Sequence, residues 1–158
     1  MSARSPDKPK PPAGTVSDSA LALMGFSVCK AAGPLHSLSL TLLLLTFIVG
    51  LIGSGRSGML IPSLVLAGCQ VWFAWRLAFD QQVFAAWARL PDEECEAAQR
   101  TFDAALGKLL KKSAPPGSNR PMLDRVMGAR RLHLLQIAAL FGQMLTLLAS
   151  TVGLLILH

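Results

Sequence analysis

Residues 35–53, 59–79 and 132–157 form three stretches that contain no Asp or Glu and are apolar along almost their whole length. At 1.5 Å of rise per residue, a hydrocarbon layer about 30 Å thick takes roughly 20 helical residues, so each stretch reaches or approaches a bilayer crossing. Over a third of a 158-residue chain is committed to them. With 52% hydrophobic and only 15% charged residues, the composition lies outside the usual soluble range. The expected fold is all-α: an integral membrane protein with three transmembrane helices.

Charge placement orients those helices. Arg4, Lys8, Lys10 and Lys30 precede the first stretch, and Arg56 alone separates the first from the second. Arg89, Arg100, Lys108, Lys111, Lys112, Arg120, Arg125, Arg130 and Arg131 all fall between the second and third, and no Lys or Arg follows Leu132. Because basic residues are retained on the cytoplasmic side, this asymmetry predicts a cytoplasmic N-terminus, an external turn near 52–58, a cytoplasmic middle segment and an external C-terminus. It also accounts for the net charge of +6 without a nucleic-acid partner, since the basic residues follow the span boundaries and form no continuous face. The expected location is the inner (plasma) membrane.

The remaining segments divide by composition. Residues 1–16 carry Pro6, Pro9, Pro11 and Pro12 among polar residues and read as a disordered cytoplasmic tail. Residues 17–33 begin with the cap-like Ser17-Asp18-Ser19, continue with Leu21, Leu23, Met24, Phe26 and Val28, and end at Gly33-Pro34. They read as an interfacial helix, with packing on the cytoplasmic end of the bundle as the alternative. Residues 34–158 then form the membrane domain, with a cytoplasmic insert at 81–131. Within the insert, Val83, Phe84, Trp87 and Leu90 continue the second span at helical spacing until Pro91. Asp92-Glu93-Glu94 and Lys108, Lys111 and Lys112 suit the two ends of a further helix, whose Cys95, Ala98, Phe102, Leu106, Leu109 and Leu110 recur at three- and four-residue steps. Its apolar side is expected to fold back on 83–90 as a cytoplasmic helical hairpin between spans two and three. Residues 113–121, with Pro115-Pro116-Gly117, read as a loop, and 122–132 as a short basic helix leading into the third span.

Few residues carry chemistry. Gln136, Gln143, Thr146 and Ser150 share one side of the third span, and Ser63, Ala67 and Gln70 line the second. Small and amide side chains at such spacing are expected to pack helix against helix. A polar pathway lined by Gln70, Gln136 and Gln143 is the functional alternative. His36 and His133, at the cytoplasmic ends of their spans, are the only pair that suggests haem or metal ligation, with Cys29 close in depth. Arg125, Arg130 and Arg131 sit where anionic head groups lie. Three cysteines without C-x-x-C spacing imply neither a disulfide framework nor a zinc site. Paired carboxylates, Ser/His/Asp groupings and phosphate-cradling loops are absent from the sequence, so no enzymatic activity and no cofactor are expected.

The function expected from these features is a non-enzymatic accessory, scaffold or assembly subunit of an inner-membrane complex. It would bind the lipid bilayer and other membrane subunits, or copies of itself, with Trp87, Phe102, Leu106 and Leu109 as the cytoplasmic contact residues. Two alternatives are a small homo-oligomeric channel or carrier with the glutamine-lined pathway, and a haem- or quinone-binding membrane anchor.

Overall fold

The computed structural model describes residues 16–52, 58, 60–109 and 120–157, apart from the side chains of 154 and 157. The expected N-terminal tail up to residue 15, the glycine-rich turn at 53–57 and most of the expected loop at 113–121 lie outside them. Helix is the only regular structure among the described residues, in five elements: α1 (Asp18–Lys30), α2 (Ala32–Ile52), α3 (Leu60–Trp87), α4 (Asp92–Leu109) and α5 (Met122–Leu157).

The helix boundaries follow from caps and prolines. Ser17 caps α1 in an extended conformation, its hydroxyl accepting from the Ala20 amide at 3.3 Å. Pro34 has no amide to donate and its ring crowds the carbonyl of Lys30, so the α1 helix breaks there. Ala31 keeps a right-handed helical backbone, however, and α2 starts at Ala32. Gly33-Pro34 therefore opens the next helix rather than closing a separate one, and Asp18–Ile52 acts as a single 35-residue rod with one break. Pro62 is tolerated as the third residue of α3, where its missing amide has no partner in the helix. Pro91 and Pro121 then each stand immediately before a helix. Their carbonyls accept the amides of Glu94 and Cys95, and of Asp124 and Arg125.

Three of these rods, Asp18–Ile52, Leu60–Trp87 and Met122–Gly153, are long and apolar enough to cross a membrane. All exceed the minimum: the 36 residues of α5 span about 54 Å, some 20 Å more than a hydrocarbon layer needs. The expected short basic helix and third span are thus one uninterrupted helix.

Contacts fix the register. Ser39 bonds Gln143, and Gln136 bonds Ala32, both across 104 residues, so α2 and α5 run parallel in constant register. Gln70 meets Gln136 while Leu66 lies against Gly142, so α3 runs the opposite way. Buried positions then recur every seven residues: Ala32, Ser39 and Thr46 on α2; Ser63, Gln70, Leu77 and Phe84 on α3; Met122, Ala129, Gln136 and Gln143 on α5. That repeat is the seam of helices packed knobs into holes.

The rods close over two unlike interiors. At the α4 end, a core of Ala22, Cys29, Leu77, Phe84, Trp87, Cys95, Met122 and Val126 joins α1, α3, α4 and α5. Gly25 admits the Phe84 ring there, since a Cβ would come within 2.9 Å of it. In the other half the buried set is Ser39, Thr46, Ser63, Gln70, Gln136 and Gln143 with Leu42, Ala67, Ala139 and Leu140, while Leu44, Phe47, Ile61, Leu64, Phe141 and Leu145 face outward. One side of α1 packs on α3 and α5, and its other side exposes Leu23 and Met24.

Candidate functional site

The polar residues of the apolar half form layers. In the first, Gln70 donates from Nε2 to the Gln136 carbonyl at 2.6 Å, and Gln136 donates from Nε2 to the Ala32 carbonyl at 3.2 Å, so α3, α5 and the start of α2 are clasped in series. One heptad away, the Ser39 hydroxyl donates to Gln143 Oε1 at 2.6 Å, and Ser63 lies at the same depth by register. A further heptad on, Thr46 and Ser150 face inward at one level, each bonded to its own helix backbone, to Leu42 O and Thr146 O respectively. Thr146 likewise bonds the Gln143 carbonyl. Ala67, Ala139 and Leu140 are buried between the first two layers.

All three glutamines are therefore fully buried between helices of one chain. A glutamine-lined pathway would require them to face a lumen, whereas their amide groups here join neighbouring helices. Thr146 and Ser150 share the stripe without bridging helices.

At the other end, α4 is held chiefly by polar tethers and one ring. Its Asp92 accepts from the Ser19 amide at 3.0 Å. Gln99, buried, donates to Asp18 at 3.0 Å, and Asp103 pairs with Arg125 of α5. Phe102 meets Trp87 edge-on at 5.5 Å and Phe79 at 6.3 Å. Trp87 itself is only 5% exposed, enclosed by Phe84, Phe102 and the Arg125 guanidinium, which lies 5.3 Å from its ring centre. Of the four residues expected to contact a partner, then, Trp87 belongs to the core and Phe102 packs onto it. Leu106 is half-buried, and Leu109 is 78% exposed. The hydrogen bonds from Ser19 hold the Asp92 carboxyl below the usual range, and burial pushes the Cys95 thiol up.

Between these regions lies a basic belt. Arg76 stands six residues after Gln70 and Arg130 six before Gln136, so the antiparallel register sets them at one depth. Lys30, two residues before Ala32, and Arg131 fall within a turn of it. All four are exposed, beside Trp72, Trp75 and Phe79. Arg125 does not join them, because it is already committed to Asp103 and Trp87. Arg76 also pairs with Asp80 at 3.5 Å. His36 and His133 are half-buried and do not share a level: by the α2/α5 register His36 sits beside Leu140, and His133 beside Cys29. Among the described residues no group of three His, Cys, Asp or Glu side chains converges on a metal position, and the three cysteines are free.

Sequence reasoning missed Ser39, Thr46, Gln99 and the Asp103–Arg125 pair. Ser39 and Thr46 were within reach, since they extend Ala32 at seven-residue steps. The Arg125 pairing carries no local signal. No protein-family model, curated protein or solved structure matches the chain.

Proposed function

We propose that the protein is a non-enzymatic scaffold or assembly subunit of a complex in the inner (plasma) membrane. Its basic belt would lie at the cytoplasmic face, the N-terminus and α4 inside, and the C-terminus outside. The observation that carries this reading is exposed apolar surface that, in this arrangement, would lie outside the hydrocarbon layer. Leu23 and Met24 on α1 and Leu123 and Met127 on α5 are each more than half exposed. Leu23, Met24 and Leu123 lie on the α4 side of the basic belt, Leu123 two turns from Arg130, and Met127 lies at its edge, level with Phe79 by register. Exposed apolar clusters on a soluble end mark protein contacts. Leu109 at the far end of α4 adds to that surface, whereas the outward leucines of the other half are accounted for by lipid.

The glutamine clasps support the same reading, because amides consumed inside the bundle leave an exterior that is mostly apolar, interrupted on α2 by Ser37 and Thr41, and suited to lipid and to neighbouring helices. The test is purification of tagged protein from its native membrane at native abundance, with mass spectrometry of what accompanies it. Stoichiometric partners that are lost in Leu23→Glu and Met127→Glu, with the bundle still folded by circular dichroism, support the scaffold. A partner-free protein, or partners indifferent to both charges, sinks it.

A further inference from the structure

The basic belt gathers to one level charges that the sequence scatters. Lys30 ends α1, Arg76 stands inside the second apolar stretch, and Arg130 and Arg131 precede the third, yet the helix register sets all four within about a turn of one another along the bundle axis. Retention of basic residues on the cytoplasmic side does not require a common depth: Arg89, Arg100 and Lys108 satisfy it from elsewhere in the middle segment. Charge at the level is poorly compensated. Asp80 pairs with Arg76 at 3.5 Å, and among the described residues no carboxylate pairs with Lys30, Arg130 or Arg131. Four basic groups against one carboxylate leave the level with a net charge of +3. Asp124, the nearest carboxylate on α5, lies six residues from Arg130, about 9 Å along the axis.

The four basic side chains are exposed on three different rods, so they surround the bundle instead of converging on one ligand. A single polyanion is badly matched to that arrangement, whereas a layer of singly charged headgroups meets each residue where it stands. The level also carries two large open indoles, Trp72 at 54% and Trp75 at 73% exposed, of the kind that settles where headgroups meet acyl chains. We propose that the belt gathers anionic phospholipid around the bundle, with lipid phosphates facing Lys30, Arg76, Arg130 and Arg131 and acyl chains lying along Trp72 and Trp75. The inference rests on the membrane placement proposed above and is independent of what the protein scaffolds.

The chain supplies its own probe. Its three tryptophans are Trp72, Trp75 and Trp87, and Trp87 is enclosed at the α4 end, so quenching of tryptophan emission by brominated lipid reports which lipid lies at the belt. The full chain is reconstituted in phosphatidylcholine vesicles containing a minor fraction of phosphatidylglycerol, with the bromine carried either by the phosphatidylglycerol or by an equal fraction of the phosphatidylcholine. The expected result is a preference of about fivefold for the anionic lipid, the worth of one basic residue at an anionic surface, that shrinks as salt is added. The combined variant Lys30→Gln, Arg130→Gln and Arg131→Gln leaves only the Arg76–Asp80 pair and is expected to bring the two lipids to equality. Arg89→Gln, Arg100→Gln and Lys108→Gln, which together remove the same charge away from the belt, should leave the preference intact. Equal quenching by the two lipids in the native chain overturns the proposal and leaves the membrane placement standing, whereas no quenching by either removes the placement and the proposal with it. A preference that survives the belt variant, or falls equally in the control, belongs to net charge and also overturns it. So does a preference lost to inorganic phosphate but not to chloride at the same ionic strength, which would put a free anion on the belt.

Discussion

The two halves of the bundle share helices and a seven-residue repeat, yet are built inside out with respect to each other. Along α3, Ser63 and Gln70 face the same seam as Leu77 and Phe84, two polar residues followed by two apolar ones. At the Phe84 end, rings and sulfur fill the core while Lys30, Arg89, Arg100 and Arg130 lie outside. At the Ser63 end, amides and hydroxyls fill it and Leu64, Val65 and Ile61 lie outside. In water, apolar burial holds helices together. Surrounded by hydrocarbon it does nothing, because the outside is as apolar as the inside, and close packing and interhelical hydrogen bonds take over.

The largest consequence concerns Trp87. Trp87→Ala removes the ring on which Phe84, Phe102 and Arg125 converge, and is expected to destabilise the α4 end by about 3–5 kcal/mol. Leu145→Ala, which also truncates a large side chain but faces outward, is expected to stay within about 0.5 kcal/mol. Unfolding of both variants in the same bilayer or detergent measures the difference. Equal losses would show that apolar size acts alike in both halves and would break the contrast.

Gln136→Leu sharpens it from the other side. Replacing a fully buried amide by a leucine of similar size would be neutral or favourable if apolar burial dominated that layer. The clasp to the Ala32 carbonyl predicts instead a loss of about 0.6–2 kcal/mol, the usual worth of a polar bridge between membrane helices. The same measurement decides it, and a double-mutant cycle with Gln70→Leu isolates the coupling between the two amides.

This inversion also explains what was legible in the sequence. The three long helices could be read from length and hydropathy, and the starts of α4 and α5 from Pro91 and Pro121. In the apolar half, hydropathy says nothing about which face is buried, since Leu44 outside and Leu42 inside look alike. Only the rare polar residues mark the seam, and Gln70, Gln136 and Gln143 do so. At the other end the pattern misled in two places. Trp87 and Phe102 read as a surface because they cover each other across the α3–α4 pair, with Phe79 and Phe84 of α3 beside them and Arg125 of α5 closing over Trp87. Arg125 in turn read as a head-group residue because its partner, Asp103, lies 22 residues away in the sequence. Pairings between elements distant in sequence leave no periodic trace.

The smallest effect is expected where α4 is tethered in the open. Asp92 accepts the Ser19 amide, and that bond, together with a weaker one from the Ser19 side chain, holds its pKa below the ordinary 3.8. A carboxylate whose pKa is lower folded than unfolded contributes stability above the unfolded value, and that contribution fades as pH falls through the folded one. The tether between α1 and α4 should therefore be constant above about pH 5 and weaken below about pH 4. Hydrogen exchange at the Ser19 amide reads it directly: protection is expected to drop across that window in the native chain. In Asp92→Asn, whose amide oxygen still accepts but does not titrate, the drop should be absent. Because Asp92 is exposed, the change is confined to this contact, and the Gln70/Gln136 clasp in the other half, made of amides and backbone carbonyls, should be indifferent to the same titration. A parallel loss at both ends would mean that the two halves unfold as one unit, so that their contrast in construction does not extend to their stability.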